Sequence, residues 1–268
     1  MKCTDCSLLI TNPRPDINSI GKYYQSEDYI SHSATSKGLI NKLYKTAKSF
    51  SINNKCRLVL KISGKKTGQI LDYGCGRGDF ILSMKQKGWV IIGAEPDEKA
   101  AQAASLQCSI KIISPDDVFS LPDSSFDVIT LWHVLEHVHR LNETVAKLRT
   151  LLKPDGILII AVPNYESFDA RFYKEHWAAF DVPRHLYHFS HKAMNAMLKQ
   201  HHLNCFVVKP MVLDAFYVSM LSEKYRHSAL GIIKGFLIGL LSDIKAITSG
   251  SWSSLIYVCH SGNHHHNS

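Results

Sequence analysis

From residue 69 onward, short apolar runs alternate with stretches whose apolar positions recur at helical spacing. QILDYG, WVIIGAE, IKIIS, FDVITLW and GILIIAVP read as strands, and a helix follows most of them. One of these helices, LNETVAKLRTLLKPDG, carries a stop and turn at its Lys-Pro-Asp-Gly end. Near-continuous apolar strands separated by helices predict an α/β fold, with a mostly parallel sheet covered on both faces. The first 65 residues differ: a cysteine-bearing turn and the Pro-rich TNPRPD lead into helices. Beyond residue 165 an aromatic and His-rich stretch, YESFDARFYKEHWAAFDVPRHLYHFS, precedes a helix (HKAMNAMLKQHH) and a strand (NCFVVKPMVL). An apolar helix at 231–247 and a last strand, SSLIYVCH, complete the pattern. The expected organisation is an N-terminal segment with a helical cap over 1–65, and an α/β domain over 66–260 carrying insertions around 165–190 and 213–250. Residues 261–268 are expected to form a flexible tail.

Composition narrows the class. Of 268 residues, 45% are hydrophobic and 20% charged, which excludes a disordered or fibrous chain. The segment 231–247 is too short and, through Lys234, too interrupted for a membrane span, so it is expected to be a core or interface helix. The start lacks a basic run followed by a long apolar core, and seven scattered cysteines do not form a disulfide framework. Together these predict a cytoplasmic protein. The charge of +8 is uneven, because residues 1–68 carry twelve Lys and Arg against four Asp and Glu, and the remainder is balanced. The basic segment 37–66 reads either as a solvated helical face or as attraction to an acidic substrate, a lipid surface or RNA.

The sequence LDYGCGRGDF places Gly74, Gly76 and Gly78 at alternate positions between a strand and a helix. A glycine turn there lets backbone approach a ligand closely, beyond the C-terminal ends of the strands. The spacing is G-x-G-x-G, with Asp72 two residues before the first glycine, and not the dinucleotide G-x-G-x-x-G. Glu95 ends the next strand, 21 residues beyond Gly74, where a carboxylate can accept from both hydroxyls of a ribose. These elements favour an adenosine-bearing cofactor.

Taken with DVFSLPDSSFDVITLWHVLEHV and LLKPDGILIIAVPN, the glycine turn and Glu95 resemble the class I S-adenosylmethionine-dependent methyltransferases over about residues 69–165. The CxxC, TNPRP, YYQSEDYISHS and DVPRHLYHFS stretches are similar to one bacterial subgroup of that family. The resemblance implies a Rossmann-like, seven-stranded, mostly parallel sheet whose last strand is antiparallel, and S-adenosylmethionine as cofactor. It implies that Gly74, Cys75, Gly76 and Gly78 pass beneath the methionine and ribose, with Asp72 supporting that loop. Glu95 would hold the ribose, Asp117 the adenine amino group and the Val118 backbone a ring nitrogen, although Asp116 competes with Asp117. Leu131 to His133 would border the methionyl end. The aromatic stretch YYQSEDY reads either as core or as a cover that brings Tyr24 or Tyr29 to the methionine end, where an aromatic face suits a sulfonium. Tyr73, Arg77 and Asp79 depart from the commoner family residues without altering the backbone logic.

Candidate acceptor-side groups fall in two places. WHVLEHVHR sets His133 and His137 on one face if the stretch is helical, with Glu136 adjacent; its spacing is not the H-E-x-x-H of zinc proteases. HWAAFDVPRHLYHFS packs Asp181, Arg184, His185, Tyr187 and His188 into eight residues. His185, then Asp181, are the expected substrate-facing groups; the structural alternative is a turn held by an Arg184–Asp181 pair. No metal is expected: Cys3 and Cys6 supply half of a four-cysteine site, and the acidic and His residues of WHVLEHVHR, although they resemble a metal site of some related quinone-pathway methyltransferases, make one short match that does not carry such a site. The leading reading is methyl transfer to a small-molecule, sugar or lipid-linked acceptor, by preference at oxygen, without a stable nucleic-acid partner. RNA methylation, non-catalytic binding of S-adenosylmethionine and dehydrogenation are the competing readings.

Overall fold

The structure, a computed structural model of the chain, describes residues 1–24 and 39–261, with backbone only over 39–45. Its strands are β1 (Leu9–Ile10), β2 (Gln69–Tyr73), β3 (Val90–Ala94), β4 (Phe126–Trp132), β5 (Leu152–Pro163), β6 (Tyr187–His188), β7 (Leu203–Pro210) and β8 (Ser254–Ser261). The described helices are α1 (Leu39–Ser63), α2 (Asp79–Gln86), α3 (Glu98–Cys108), α4 (Leu141–Leu151), α5 (Phe168–Tyr173), α6 (His191–Gln200), α7 (Asp214–Tyr225) and α8 (Gly231–Ser249). Six strands hydrogen-bond in the order β3-β2-β4-β5-β8-β7, and β1 pairs with β6. β2 runs parallel to β3, with Ile70 opposite Ile91, and parallel to β4, with Ile70 opposite Val128.

A seven-stranded sheet was the expectation, and the described residues give six strands in it. IKIIS contributes a single parallel bridge, Ala94 to Ile113, at the outer edge of β3. Ile113 exchanges bonds with Gly93 and Glu95, but the next amide, Ser114, turns to the Asp117 carboxylate. Pro115 then has no N–H to offer, so the ladder cannot extend. A second difference is at Lys-Pro-Asp-Gly, expected as a turn. The strand already begins at Leu152, and a Cβ on Gly156 would lie 2.9 Å from the Lys153 nitrogen. The chain doubles back tightly there within the assigned strand.

The chain divides into two compact units. One comprises Gly21–Trp132, Glu143–Ile159 and His260–Ser268. All seven residues of β4 are buried, as a central parallel strand requires, and Ile70, Leu71, Ile81, Met84, Ala94, Val128 and Leu131 form the core around it. Asp127, at the start of β4, accepts from Gln69 N and from the ammonium groups of Lys65 and Lys153 at 2.6–2.8 Å. α3 is capped by Asp97, whose carboxylate accepts from Ala100 N.

The other unit comprises Met1–Ile20, His133–Asn142 and Ile160–Cys259. Its core joins Tyr173, Trp177, Ala178 and Ala179 to Val218 of α7. The buried Asp169 carboxylate accepts from Trp177 Nε1, Ser242 Oγ and Ser253 Oγ, all at 2.7 Å. α7 and α8 form a close hairpin because Gly235 and Gly239 admit the facing backbone: a Cβ on either would meet the Cα of Met220 or Phe216 at 2.6–2.7 Å. Within this hairpin α8 buries only small residues, Gly235, Gly239, Ser242 and Ala246, so of the two expectations, core helix or interface helix, the first is not met. Its bulky positions face outward, with Ile232 and Ile247 more than 70% exposed. No described helix is long and apolar enough to cross a membrane.

Candidate functional site

In the first unit described above, β2 ends at Tyr73 and the chain turns through three glycines into α2. Gly74, Gly76 and Gly78 all have positive φ, at 80°, 53° and 84°. The first turn is tied to β3, since the N–H groups of Gly74 and Cys75 both donate to Ala94 O. Gly78 faces α3, where a Cβ would meet Cys108 Sγ at 2.9 Å and Ala104 Cβ at 3.0 Å. A Cβ on Gly76 would meet nothing within 4 Å, so the backbone there borders open space. The alternation thus serves two ends, helix packing at Gly78 and an uncovered backbone at Gly76.

Glu95 lies beside that uncovered backbone. Its Oε2 accepts from Gly76 N at 2.8 Å and its Oε1 from Asp97 N at 3.1 Å. Burial raises its carboxyl above the ordinary range, against these two bonds. Each oxygen retains a second lone-pair direction, which suits a diol. Asp72 is buried and accepts from Thr130 Oγ1 at 2.6 Å; burial pushes it up to about 6. The Cys75 thiol is turned inward against Gly93, so only its backbone borders the loop surface. Asp117 is pinned by reciprocal bonds with Ser114, and Val118 is buried. Leu131 is wholly buried, which leaves its backbone for any contact. Tyr24 ends a short 3₁₀ turn and is half-buried; Tyr29 lies outside the described residues.

The acceptor-side candidates fall in the other unit. His133 and His137 do not share a helical face. His133 has φ 57°, and only Leu135–His137 form a single 3₁₀ turn. His133 instead donates its N–H to Ala161 O and places Nε2 3.0 Å from Met211 Sδ. The turn brings His137 to His185, their rings 4.5 Å apart and edge to face. His137 Nδ1 lies 3.1 Å from Arg184 O, and His185 Nδ1 lies 2.8 Å from Ala179 O. Burial first, then His137, pushes His185 down to about 4, so it is neutral at pH 7. Asp181 does pair with Arg184, which donates from Nε and Nη2 to Oδ1, while Oδ2 stands 3.8 Å from His185 Nε2.

Two buried groups were named in the sequence reading but given no role there. Glu136 was visible only as a neighbour of the histidines; its side chain proves wholly buried, with His133 Nδ1 3.5 Å from Oε1. Burial raises its pKa, but the three histidines around it outweigh this and hold it at about 2. His188 is set by Thr11: the Thr11 hydroxyl donates to His185 O at 2.6 Å, so its oxygen accepts from His188 Nε2 at 3.0 Å. The β1–β6 pairing, Leu9 opposite His188, creates that contact, and no local signal in the sequence announces it.

With this geometry in view, comparison with known proteins is specific. A ubiquinone biosynthesis O-methyltransferase from Chromobacterium violaceum is 33% identical over 110 residues, 38% of this chain and 46% of that protein. Its counterpart from Rhodopseudomonas palustris is 26% identical over 140 residues, 50% of this chain and 55% of that protein. The chain therefore spans about half the length of the curated relatives it matches. Among solved structures, the 1,6-didemethyltoxoflavin-N1-methyltransferase of Burkholderia thailandensis superposes with a TM-score of 0.56 at 13% identity, covering 96% of this chain and 95% of that one. At that identity the likeness speaks for the fold. The family model described as a methyltransferase domain matches residues 48–206, more than half of the chain and inclusive of the glycine turn, Glu95 and the Glu136–His137 pair. The chain belongs to the methyltransferase domain family.

Proposed function

We propose that this chain is an S-adenosylmethionine-dependent methyltransferase that acts on a small-molecule, sugar or lipid-linked acceptor, by preference at oxygen. The observation that carries the reading is the Glu95 carboxylate held against the uncovered Gly76 backbone. That pairing suits a ribose on the carboxylate and the methionyl arm over the loop, with Asp117 and Val118 toward the base. The relatives named as ubiquinone biosynthesis O-methyltransferases support the choice of oxygen. All seven cysteines are free thiols, which agrees with action in the cytoplasm.

When bound, the cofactor supplies a sulfonium methyl group that an acceptor lone pair displaces, so alignment is the chief demand on the protein. For a hydroxyl acceptor the O–H bond breaks as the O–CH₃ bond forms, and the proton must go to a base. His185 is our first assignment on that side, with Asp181 and His137 beside it. Ala179 O can only accept, so His185 Nδ1 carries the hydrogen and Nε2 carries the lone pair. The imidazole therefore takes a proton through Nε2.

Thermal unfolding tests the cofactor reading directly. S-adenosylmethionine and its demethylated product, each at about 100 times its dissociation constant, should stabilise by roughly 2.7 kcal/mol, a shift of about 5–10 °C for a chain of this size. A shift with NAD alone would overturn the reading.

A further inference from the structure

β7 is the edge strand of the described sheet and is hydrogen-bonded to β8. Just past β7, Met211 N donates to Ser254 O at the start of β8. Cys205 lies six residues before Met211, and Cys259 five after Ser254. Strands that meet at Met211 and Ser254 and run antiparallel bring these cysteines to the same level, and there the side chains touch: the Cys259 thiol donates a hydrogen bond to the Cys205 sulfur. Both thiols are free. Cross-strand neighbours have Cα atoms about 4.5–5.5 Å apart, inside the range of about 4.4–6.8 Å that a disulfide spans.

The two sulfurs differ in a way that gives each a part. Cys259 is wholly buried, whereas Cys205 is half-buried and so open to a reagent. The hydrogen bond from Cys259 brings Cys205 down to about 7, against its partial burial, so a large share of it is thiolate at pH 7. The same bond, followed by burial, pushes Cys259 up, and it keeps its proton. Cys56, Cys75 and Cys108 supply the contrast: burial is the leading influence on all three and raises them, as for inert structural thiols.

We propose that Cys205 and Cys259 form a reversible disulfide site, at which Cys205 attacks a small-molecule disulfide of the glutathione type and Cys259 then closes the cross-strand bond. In the first step the Cys205 sulfur bonds to one sulfur of the reagent, and the other leaves as a thiolate. In the second the Cys259 sulfur attacks Cys205, its proton passes to the departing glutathione, and the mixed disulfide breaks. Two protein thiols are oxidised by two electrons and one small disulfide is reduced to two thiols, so the exchange balances. Excess reduced glutathione drives both steps backward. The bond ties the edge strand to β8, and β7 leads into Met211, whose Sδ lies 3.0 Å from His133 Nε2. A disulfide in a reducing compartment is ordinarily transient and redox-sensing, which suits a bond of this kind.

The test is incubation of the full chain with oxidised glutathione at pH 7, alkylation of the remaining thiols, and peptide mapping by mass spectrometry without reduction. We expect the peptides that carry Cys205 and Cys259 to appear joined, two hydrogens lighter than their sum, and to separate in excess reduced glutathione. In Cys259→Ser the hydroxyl keeps the donor but cannot resolve, so a glutathione adduct should accumulate on Cys205. In Cys205→Ser neither a link nor an adduct should form at Cys259. Absence of the joined peptide in wild type overturns the proposal without recourse to a variant. Absence of the adduct in Cys259→Ser, or an equally fast adduct on Cys259 in Cys205→Ser, overturns the order of attack. The proposal does not rest on the cofactor reading, and these measurements use no S-adenosylmethionine, so the thermal shift stands as a separate result.

Discussion

Replacing Glu95 by alanine removes one carboxylate that does two things. In the structure it binds Gly76 N and Asp97 N, at 2.8 and 3.1 Å, and so holds the second glycine of the turn in place. In the proposed complex its remaining lone pairs accept from the two ribose hydroxyls. A hydrogen bond to a charged group is worth about 1.5–3 kcal/mol net, so losing even one ribose bond should raise the cofactor dissociation constant roughly 10- to 150-fold. We expect the upper part of that range, because both hydroxyls lose their acceptor and the turn loosens as well. Calorimetry with S-adenosylhomocysteine gives the affinity, and the same titration with its 2′-deoxy analogue separates the two roles. Wild type should discriminate between the two ligands, whereas Glu95→Ala should scarcely do so. If the variant binds S-adenosylhomocysteine as wild type does, or loses equal affinity for both ligands, Glu95 is a loop brace and not a ribose reader.

The glycine turn separates binding from stability: Gly76→Ala adds a methyl to open space and should weaken cofactor binding at a cost near the 1–2 kcal/mol of a left-handed residue. Gly78→Ala adds the same strain plus contacts of 2.9–3.2 Å with Cys108 and Ala104, so chemical denaturation should show a clearly larger loss of stability; equal losses would refute the distinction. Asp127 is held at about 2 because the Gln69 amide and the Lys153 and Lys65 ammonium groups outweigh its burial. A depressed acid stabilises above its unfolded pKa near 3.8 and ceases to do so as pH falls toward 2, which amounts to about 2 kcal/mol. Urea midpoints between pH 7 and pH 3 should therefore fall less steeply for Asp127→Asn than for wild type, and parallel slopes would sink this assignment.

Whatever the chain expresses locally could be read before the structure. FDVITLW is apolar at almost every position, and a strand flanked on both sides needs that composition, so its place in the sheet was legible. The glycine turn and the acidic strand end were legible for a similar reason: a positive φ and a strand-end carboxylate each have few residue types that satisfy them. IKIIS has the same apolar character as the other strands, but whether it pairs along its length depends on Pro115 and on the Ser114–Asp117 contact, which act one residue beyond it. For the helix 231–247, the core half of the expectation failed for the opposite reason. Hydropathy counts its isoleucines and leucines, while the packing against α7 is decided by Gly235 and Gly239, which hydropathy scarcely weighs.

Sequence distance accounts for the rest. Glu136 and His137 stand almost fifty residues before His185, and nothing in WHVLEHVHR specifies that the segment after Trp177 returns to it. That return is made by backbone bonds, Leu186 N to Glu136 O and Thr11 N to Leu186 O, whose donors and acceptors every residue carries alike. Residue type therefore cannot reveal them. What residue type does reveal is the consequence once they are formed: a carboxylate enclosed without a donor, facing two imidazoles whose protons are already committed to carbonyls. The sequence shows Glu136 and His137 side by side in WHVLEHVHR, and His185 in a separate polar stretch. What exists only after folding is their meeting with His185, whose ring stands 4.5 Å from that of His137, and it is there that the chemistry of the acceptor side should be sought.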